Sequence, residues 1–489
     1  MRYRTAMDCL EEGGGYHKQA LNETQITRDE RRELYRKARF LYNFVLENVE
    51  DTTWEAKAAL GAVGSLFIET GEWGVGITLL KAACRADPEE PSVWNALGAG
   101  YRKINKVEWA RGAFEHAIKI MPPGDEHKGQ LAQIMHNMAT TYINEGEPQK
   151  AVDWSLKALA IDPDKDEHKF NLGLAYLELG DFAKGWDGYE VGRRQSAWDA
   201  RNYSHPGRTV VDWDGSPGKN LVVYGEQGVG DEILFAHALK DAIAISKSVI
   251  IDCHPRLVNL FKRSFPECVV YGTRKDDDIT WPGDHEIDAK VPFGSLHRFF
   301  RRDGAHFPIF PDGYIKPDGA YVREFAGKSG ALRVGLSWIG GTKSTHVALR
   351  SMQLEKLAPI LSVPGVEFVS LQYTEKAGEE VERVRAAHGW NITHDDAMNA
   401  DLDKLFGCIA GLDLVVTVLT SNVHFAGAMN VPTWVLTPVK APWQFMQKTM
   451  PWYPKTKLYR QDKSDDWQPV INTLARDLGY AVEAKRVLG

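Results

Sequence analysis

A pattern that recurs about every 34 residues near the N-terminus constrains the fold more than any other feature of the chain. Tyr101 follows Phe67 by 34 residues, and Tyr176 follows Tyr142 by 34 residues. Small and apolar residues recur at matching offsets: Val63, Gly64, Gly76, Leu80, Ala83 and Pro88; Trp94, Leu97, Gly98, Ala110, Phe114, Ala117 and Pro122; Met138, Ala139, Ala151, Ser155, Ala158 and Pro163; Leu172, Gly173, Gly185, Tyr189 and Gly192. This self-similarity predicts stacked copies of one small structural unit.

The residue types in each copy predict a pair of helices. Small residues such as Gly98 and Ala117 allow two helices to approach closely, and Phe114 fills the space between them. Glycines at 71, 146 and 180 suit the ends of the first helices, and prolines at 88, 122 and 163 stop the second. The period and the residue types match the tetratricopeptide repeat. We predict an extension over residues 1–27 and a helical solenoid over residues 28–200, which opens with an amphipathic helix at 28–49.

Two roles remain open for this predicted array. Its concave side would form a groove for a protein or peptide partner, or the array would only pack against the next domain. Tetratricopeptide helices carry no chemistry of their own, so a catalytic function has to be sought in the remainder of the chain.

Composition and charge exclude several classes of protein. Hydrophobic residues make up 43% of the 489 residues and charged residues 26%, which is typical of folded proteins. A net charge of −7 argues against a nucleic-acid partner. The sequence contains no apolar run long enough for a membrane span or a signal peptide. The five cysteines are scattered and lack metal-site spacing. We expect a cytoplasmic protein without a metal or other bound cofactor.

The C-terminal half alternates strand and helix patterns. Continuous apolar runs predict buried parallel strands at residues 221–224, 248–252, 333–338, 367–371, 413–418 and 433–436. They form two doubly wound, Rossmann-like units, which we place at residues 201–324 and 325–489. We expect the helical stretch from Trp467 to cross back onto the first unit. A ligand would bind at the carboxyl ends of the strands.

The loop after the first of these strands contains Gln227, Gly228 and Gly230. Its order, G-x-x-G-x-G, differs from the dinucleotide fingerprint G-x-G-x-x-G. Asp252 ends the second strand where a ribose-binding acid would lie, which keeps an NAD-dependent oxidoreductase open as an alternative. However, Asp231 lies in the first helical turn, where its carboxylate would repel a pyrophosphate. A purely structural role for Asp231 is that of a helix N-cap.

The second unit contains the better candidate for a phosphate site. Thr420 and Ser421 open a helix that contains His424, and backbone amides at a helix start bind anions. The glycine loop after the strand at 333–338 is followed by further candidates: Gly340, Gly341, Lys343, His346 and Arg350. Cations and a helix N-terminus together would hold a diphosphate without a metal. The alternative is ordinary capping for Thr420 and Ser421 and a packed histidine for His424.

Two segments carry a resemblance to a known family. DWDGSPGKNLVVYGEQGVGDEILFA and VTVLTSNVHFAGAMNVPTWVLTP resemble bacterial tetratricopeptide proteins whose C-terminal half is similar to heptosyltransferase-type glycosyltransferases of family 9. Protein O-GlcNAc transferases are more distantly similar in architecture. MPWYPKTKLYRQ, near the C-terminus, extends the resemblance.

The resemblance implies a GT-B fold and an inverting, metal-independent transfer of a hexosyl- or heptosyl-type sugar from a nucleotide sugar to a hydroxyl group. It implies that Asp231 is the catalytic base, and that Lys343, Arg350 and the Thr420–Ser421 turn meet the charge on the departing diphosphate. Further residues are then expected to contact the base and ribose of the donor: Trp338, Gln372 and Trp443. For Trp443 the alternative is packing between the two domains.

The chain departs from this family at one position. Such families commonly carry an acid just before the Thr-Ser pair, and Leu419 occupies that position here. A GT-B-like domain without catalytic activity, acting as a scaffold through the repeats, is therefore an alternative to an enzyme.

Overall fold

The computed structural model describes residues 5–23, 26–195, 203, 210–225, 227–273, 279–327, 330–341, 347–445, 447–463 and 466–488. The chain divides into two compact units. The first comprises Met1–Leu179 and Gly188–Ala197, and the second comprises Gly180–Asp187 and Trp198–Gly489. Helical tetratricopeptide repeats are followed by two parallel sheets, as the sequence predicted, in an arrangement consistent with a GT-B-like fold. The domain boundaries given above stay predictions.

The repeat region consists of antiparallel helix pairs. The helices are α1 (Ala6–Asn22), α2 (Arg28–Asn48), α3 (Trp54–Thr70), α4 (Trp73–Ala86), α5 (Pro91–Lys103), α6 (Val107–Lys119), α7 (Lys128–Glu145), α8 (Pro148–Ile161), α9 (Asp166–Leu179) and α10 (Phe182–Gln195). Gly71 and Gly146 cap α3 and α7 with φ values of 92° and 70°, in the left-handed region that favours glycine. The predicted ends of the first helices are thereby confirmed.

Close helix packing explains the small residues of the repeat. A Cβ atom at Gly98 would lie 2.5 Å from the ring of Phe114, which is itself fully buried. A Cβ atom at Gly173 would lie 2.7 Å from the backbone of Gly188. Since neither neighbour has room to move away, only glycine permits these helices to come so close.

The helix α1 was not predicted, because its sequence contains Gly13, Gly14 and Gly15 and glycine is a poor helix former. A capping box starts it: Thr5 Oγ1 accepts a hydrogen bond from the Asp8 amide (3.1 Å), and the Asp8 carboxylate accepts one from the Thr5 amide (2.9 Å). The residues 6–22, within the predicted extension, therefore form a further helix pair with α2.

The first sheet of the second unit has strand order β1-β5-β2-β3-β4 among the described residues, with all pairs parallel. Its elements are β1 (Val211–Asp212), β2 (Asn220–Tyr224), α11 (Val229–Phe235), α12 (Leu239–Ile245), β3 (Ser248–Cys253), α13 (Val258–Ser264), β4 (Val269–Gly272), β5 (Ala289–Pro292), α14 (Leu296–Phe300) and α15 (Gly319–Glu324). Every residue of β2 is buried, which agrees with the expected continuous apolar pattern.

The second sheet has strand order β11-β10-β9-β6-β7-β8 among the described residues, and its pairs are also parallel. Its elements are β6 (Leu332–Ser337), α16 (Ala358–Leu361), β7 (Val366–Ser370), α17 (Ala377–His388), β8 (Ile392–Thr393), α18 (Asp396–Ala400), α19 (Leu402–Ala410), β9 (Leu414–Thr417), α20 (Ser421–Ala428), β10 (Thr433–Thr437), β11 (Thr456–Arg460) and α21 (Gln468–Leu488). The predicted parallel strands are confirmed in both sheets.

The C-terminal helix α21 packs on the second sheet, so the expected crossing back to the first is wrong. Its buried residues Ile471, Leu474 and Leu478 belong to the same hydrophobic core as the β6 residues. Lys485, near its end, pairs with Asp413 at 2.6 Å. The apolar face of α21 packs against the second sheet. The sequence pattern predicts an apolar face, but it does not specify which sheet that face will cover.

Candidate functional site

Two loops of the second sheet meet because of the register of their strands. Ser337 of β6 pairs with Thr417 of β9, so both strands end at the same level. A Cβ atom at Gly340 would lie 2.5 Å from the carbonyl oxygen of Leu419 and 3.0 Å from the Thr420 methyl group. The glycine loop after β6 and the turn that opens α20 are therefore neighbours, as expected from the sequence.

The start of α20 is fixed by its own cap and by the strand ends. Thr420 is the N-cap, and its hydroxyl accepts a hydrogen bond from the Asn422 amide (3.1 Å). The buried Asn422 side chain donates to Ser337 Oγ (2.8 Å) and to the Leu371 carbonyl (3.1 Å). Ser421, the first helical residue, remains partly exposed. The structure thus assigns Thr420 the expected capping role, and it leaves Ser421 at a helix N-terminus that suits an anion.

Arg350 follows the glycine loop and lies on the same side. Ser351 Oγ accepts a hydrogen bond from the Gly340 amide (3.0 Å), and the Met352 amide donates to the Trp338 carbonyl (3.0 Å), which holds this segment against the end of β6. The Arg350 side chain makes no hydrogen bond or ion pair with any described residue, and burial lowers its pKa. Lys343 and His346, also predicted here, lie outside the described residues.

Contrary to the prediction from the sequence, Trp338 and Gln372 do not lie where they could contact a donor. Trp338 is fully buried in the core of the second sheet, and its indole donates to Glu380 (2.9 Å). Gln372 is also fully buried; its side-chain oxygen accepts hydrogen bonds from the amides of Trp338 (3.1 Å) and Ile339 (2.9 Å). Both side chains hold the end of β6 and neither is accessible to a ligand, so they do not make the expected contacts with the base and ribose of a donor.

His424 and Trp443 have packing roles in the structure. His424 is buried on α20, and its Nδ1 lies 3.3 Å from the Tyr453 hydroxyl. Burial lowers the pKa of His424 to about 4, so the ring is neutral near pH 7. Trp443 contacts the rings of Trp186 and Trp452 edge-on, with centroids 5.4 and 5.8 Å apart. For His424, this environment agrees with the alternative considered from the sequence, that of a packed histidine.

Asp231 lies at the start of α11, but not as its N-cap. Gly228 is the N-cap residue, and Asp231 is the third residue of the helix. Asp231 remains partly exposed, and burial raises the pKa of its carboxyl from 3.8 to about 6, although the Gly228 amide opposes this shift. A carboxylate with such a pKa, in reach of solvent, has the protonation behaviour of a general base near neutral pH.

Two further acidic residues of the first sheet, Glu232 and Asp252, accept structural hydrogen bonds. The buried Glu232 carboxylate accepts from the His254 amide (2.8 Å), and it lies against Gly225. Asp252 is fully buried and accepts from the Tyr203 hydroxyl (2.7 Å) and from the Thr273 hydroxyl (2.6 Å) and amide (3.0 Å). Because Asp252 is inaccessible and engaged, it does not bind ribose in this structure, which removes the main support for an oxidoreductase.

A buried network that the sequence did not reveal connects the two sheets beside Asp231. The Tyr314 hydroxyl donates to the Ile233 carbonyl of α11 (2.8 Å) and lies 3.3 Å from the Tyr453 hydroxyl. Burial raises the pKa of Tyr453 well above its usual range, and the charges of Tyr314 and Asp231 add to that shift. Tyr453 belongs to the segment MPWYPKTKLYRQ, which extends the family resemblance, so the sequence did point to this region. Nothing in the segment indicated that Tyr453 would have a partner on α20 or α11.

Neither a membrane span nor a metal cluster is found in the described parts of the chain. No helix there combines the length and apolarity needed to cross a bilayer. No group of three or more His, Cys, Asp and Glu side chains there is arranged to hold a metal ion.

Comparison with known proteins finds a match for one repeat segment and a relative that is similar over most of the chain. Residues 132–165 match the tetratricopeptide repeat family model. Protein FlbA of Caulobacter vibrioides is 26% identical over 427 residues, covering 82% of this chain and 69% of FlbA. The peroxisomal targeting signal receptor of Kluyveromyces lactis is 27% identical over 99 residues, covering 20% of this chain and 16% of the receptor. One segment of the repeat region thus matches the tetratricopeptide model, and the chain as a whole is similar to FlbA.

Two solved glycosyltransferase structures are similar at low TM-scores. An O-GlcNAc transferase mutant of Thermobaculum terrenum matches with a TM-score of 0.33 and 13% identity, covering 88% of this chain and 92% of that one. The ADP-heptose lipopolysaccharide heptosyltransferase II of E. coli matches with a TM-score of 0.38 and 14% identity, covering 55% and 99%. Because these TM-scores are low, we infer the fold from the strand orders of the two sheets, and neither structure indicates an activity for this chain.

Proposed function

We propose that the second unit is an inverting, metal-independent glycosyltransferase that uses a nucleotide sugar of hexosyl or heptosyl type. The observation that carries this proposal is the position of Asp231. Its carboxyl has a raised pKa and partial exposure, and it lies one residue from Gly230, which contacts Ser421 at the start of α20, where the donor diphosphate would bind. A base and a phosphate site on facing helices are what this class of reaction requires.

The donor diphosphate would bind at the turn that opens α20. The helix N-terminus offers backbone amides and the Ser421 hydroxyl, and Arg350 offers a guanidinium that has no hydrogen-bond or ion-pair partner among the described residues. The Gly340–Gly341 loop lets the backbone approach a ligand closely, and Lys343 stays a predicted third contact. These groups would stabilise the negative charge that develops on the leaving diphosphate.

Asp231 would act as the base on the acceptor side. The acceptor oxygen attacks the anomeric carbon from the face opposite the leaving group and transfers its proton to the Asp231 carboxylate. The bond from the anomeric carbon to the diphosphate oxygen breaks, and the electron pair leaves with the nucleoside diphosphate. The new glycosidic bond therefore has the inverted configuration, and no metal is needed if cationic groups meet the charge.

The repeats would supply the protein partner or the acceptor. Tetratricopeptide arrays are protein-interaction modules. We propose that a partner segment binds to the repeat helices, while chemistry is confined to the second unit. Cytoplasmic localisation stays a prediction.

A scaffold without catalytic activity is the second candidate, because Leu419 is an apolar residue where an acid is expected. Leu419 is 4% exposed, and its carbonyl lies against Gly340 in the centre of the candidate donor site. A domain of this kind would keep the shape of a donor site without transferring a sugar. No comparable observation favours the oxidoreductase, since Asp252 is buried.

A thermal-shift screen separates these candidates. UDP, GDP and ADP, their sugar nucleotides, NAD and NADP are each added to the whole chain. A ligand at one hundred times its dissociation constant stabilises a protein by about 2.7 kcal/mol, which is readily measured. Stabilisation by a nucleoside diphosphate and its sugar nucleotide supports the transferase. Stabilisation by NAD or NADP alone contradicts it, and no response to any of them supports the scaffold.

Release of nucleoside diphosphate from the stabilising sugar nucleotide then tests Asp231. Asp231→Asn keeps the shape and an oxygen for the Gly228 amide, so donor binding should change little. Turnover should fall by about 10²- to 10⁴-fold, the usual contribution of positioned proton transfer. Asp318→Asn is the matched control, because Asp318 caps α15 through the Ala320 amide (2.8 Å). Wild-type turnover in a folded Asp231→Asn variant would rule out the base.

A further inference from the structure

Two aromatic side chains lie on the exposed face of α2. The opposite face of this helix packs on α1 and α3 through a set of buried residues: Ala38, Leu41, Tyr42 and Val45. Phe40 and Phe44 project away from that core and are 68% and 40% exposed. They are four residues apart on the helix, so their rings form one patch. Single exposed apolar side chains are ordinary, whereas adjacent ones mark an interaction surface.

The patch distinguishes α2 from the second helices of the following pairs. The structure describes α4 and α6 throughout, and beyond their first turns neither exposes a large apolar side chain. Their exposed residues there include Lys81 and Arg85 of α4, and Glu115 and Lys119 of α6. In α8 one large apolar residue is exposed, Leu156. Since the equivalent helices fold without exposed aromatic pairs, the helix pair itself does not require the phenyl rings of α2.

Charged residues of opposite sign flank the two rings. Lys37 precedes Phe40 by three residues, and Glu47 follows Phe44 by three residues. Intervals of three, four and three residues place all four side chains in one stripe along the helix, with the spacing of a helix–helix seam. Lys37 and Glu47 are exposed, and Lys37 Nζ lies 5.4 Å from the centre of the Tyr16 ring on α1. The α2 stripe therefore has a positive end, an apolar centre and a negative end.

We propose that the α2 stripe is the interface of a two-fold dimer, and that its occupant is the α2 stripe of a second copy of this chain. When the two helices are antiparallel, Phe40 of each copy packs against Phe44 of the other. Lys37 of each copy then faces Glu47 of the other, as a two-fold interface requires. A parallel pair would instead place like charges together at both ends, so the charges select the antiparallel arrangement.

This interface is small. A single helix pair buries less than the roughly 800 Å² per partner of a standard interface, so the dimer should form weakly and dissociate on dilution. The dimer would carry two repeat arrays, which would strengthen the binding of a partner that offers two copies of its recognition segment. This inference goes beyond the proposed function, and it does not depend on whether the second unit transfers a sugar.

Sedimentation velocity of the whole chain at increasing micromolar concentrations tests the dimer. We expect a monomer–dimer equilibrium in the wild type. Phe40→Ala should weaken the association by about tenfold or more, as for an aromatic residue at the centre of an interface. Leu156→Ala is the matched control, because it removes a single exposed apolar side chain from another second helix and should leave the association unchanged. Equal losses for the two variants, or a monomeric wild type at every concentration, would overturn the proposal.

Charge reversal tests the antiparallel arrangement. Lys37→Glu and Glu47→Lys each place like charges together in both symmetry-related pairs, so each should weaken the association by about tenfold. The double variant Lys37→Glu/Glu47→Lys restores both pairs with reversed sign and should associate nearly as well as the wild type. An equimolar mixture of the two single variants should form a mixed dimer, because one copy is then negative at both positions and the other is positive.

Recovery in the double variant and in the mixture is specific to a two-fold pairing of this stripe with itself. Non-specific association through exposed phenyl rings would not depend on which charges are combined. A double variant as weak as the single ones, or a mixture that stays monomeric, would therefore contradict the antiparallel pair. Sedimentation does not involve sugar transfer, so failure of the proposed transferase would leave every one of these measurements unchanged.

Discussion

Gly230 of α11 and Ser421 of α20 are in direct contact: a Cβ atom at position 230 would lie 2.9 Å from Ser421 Oγ and 3.2 Å from its Cβ. These residues belong to the two glycine- and serine-containing motifs that follow strands of different sheets. The contact sets the spacing between the helix that carries Asp231 and the helix start that would bind the donor.

Gly230→Ala should therefore disturb transfer more than it disturbs binding. The added methyl group pushes α11 and α20 apart by a few tenths of an ångström. A displacement of this size between the base and the donor lowers the turnover rate by up to about tenfold. Gly228→Ala is the control, because the nearest atom to its Cβ would be Asp231 Oδ2 at 3.6 Å, an ordinary contact. We expect near-normal turnover for Gly228→Ala. If both variants turn over at the wild-type rate, the helix spacing does not matter for the reaction.

The pH dependence of turnover follows from the raised pKa of Asp231. A base must be deprotonated, and burial raises the pKa of this carboxyl to about 6. The rate should be constant well above pH 6 and fall as pH decreases through that value, tenfold per pH unit at the limit. In Asp231→Asn this acidic limb should disappear from the residual rate. A limb that persists in the variant would belong to another group.

Arg350 should distinguish a diphosphate from a bare nucleoside. Its half-buried guanidinium has no described partner and lies beside the Gly340 loop. Arg350→Ala should weaken nucleoside-diphosphate binding by roughly 10- to 100-fold, the range for one charge-assisted hydrogen bond, and should leave nucleoside affinity nearly unchanged. Arg385→Ala, which removes a half-exposed arginine of α17 paired with Glu382, is the control. Equal weakening for diphosphate and nucleoside would indicate a structural role for Arg350.

Strand positions were predictable because buried parallel strands have continuous apolar sequences. The predicted strand at 221–224 is observed as Asn220–Tyr224, and that at 433–436 as Thr433–Thr437. The strands β1, β4, β5, β8 and β11 were missed, since the first four have only two or four residues and β11 (Thr456–Arg460) contains the charged residues Lys457 and Arg460. A short or partly charged strand obtains its partner from the tertiary fold, and its own sequence does not identify it.

Site residues were less predictable than strands. The loops that contain Gly340 and Thr420 do meet, because strand register brings them together. A polar residue at a strand end looks the same in sequence whether it binds a ligand or the backbone, which is why Gln372 was expected to contact a donor. The surroundings of Arg350 in the described part of the chain and the hydrogen bonds of Tyr453 depend on three-dimensional packing, so only the structure reveals them.

Glu178 gives a test of the repeat unit that does not depend on any ligand. It lies on α9 with 6% of its surface exposed, and its Oε2 atom is buried without a partner among the described residues. Burial raises the pKa of its carboxyl from 4.5 to about 8. The folded protein therefore binds a proton that the unfolded chain releases above pH 4.5. The stabilising contribution is complete below pH 4.5 and is lost progressively as pH rises through about 8.

Glu178→Gln should remove this loss, because the amide is uncharged at every pH and nearly isosteric with the protonated acid. At pH 8 the variant should be more stable than the wild type by roughly 1–3 kcal/mol, and at pH 4.5 the difference should vanish. Thermal unfolding at several pH values measures this, with Glu115→Gln on the exposed side of α6 as the control. A difference between variant and wild type that stays constant from pH 4.5 to 8 would show that Glu178 stays ionised and acts through its shape alone.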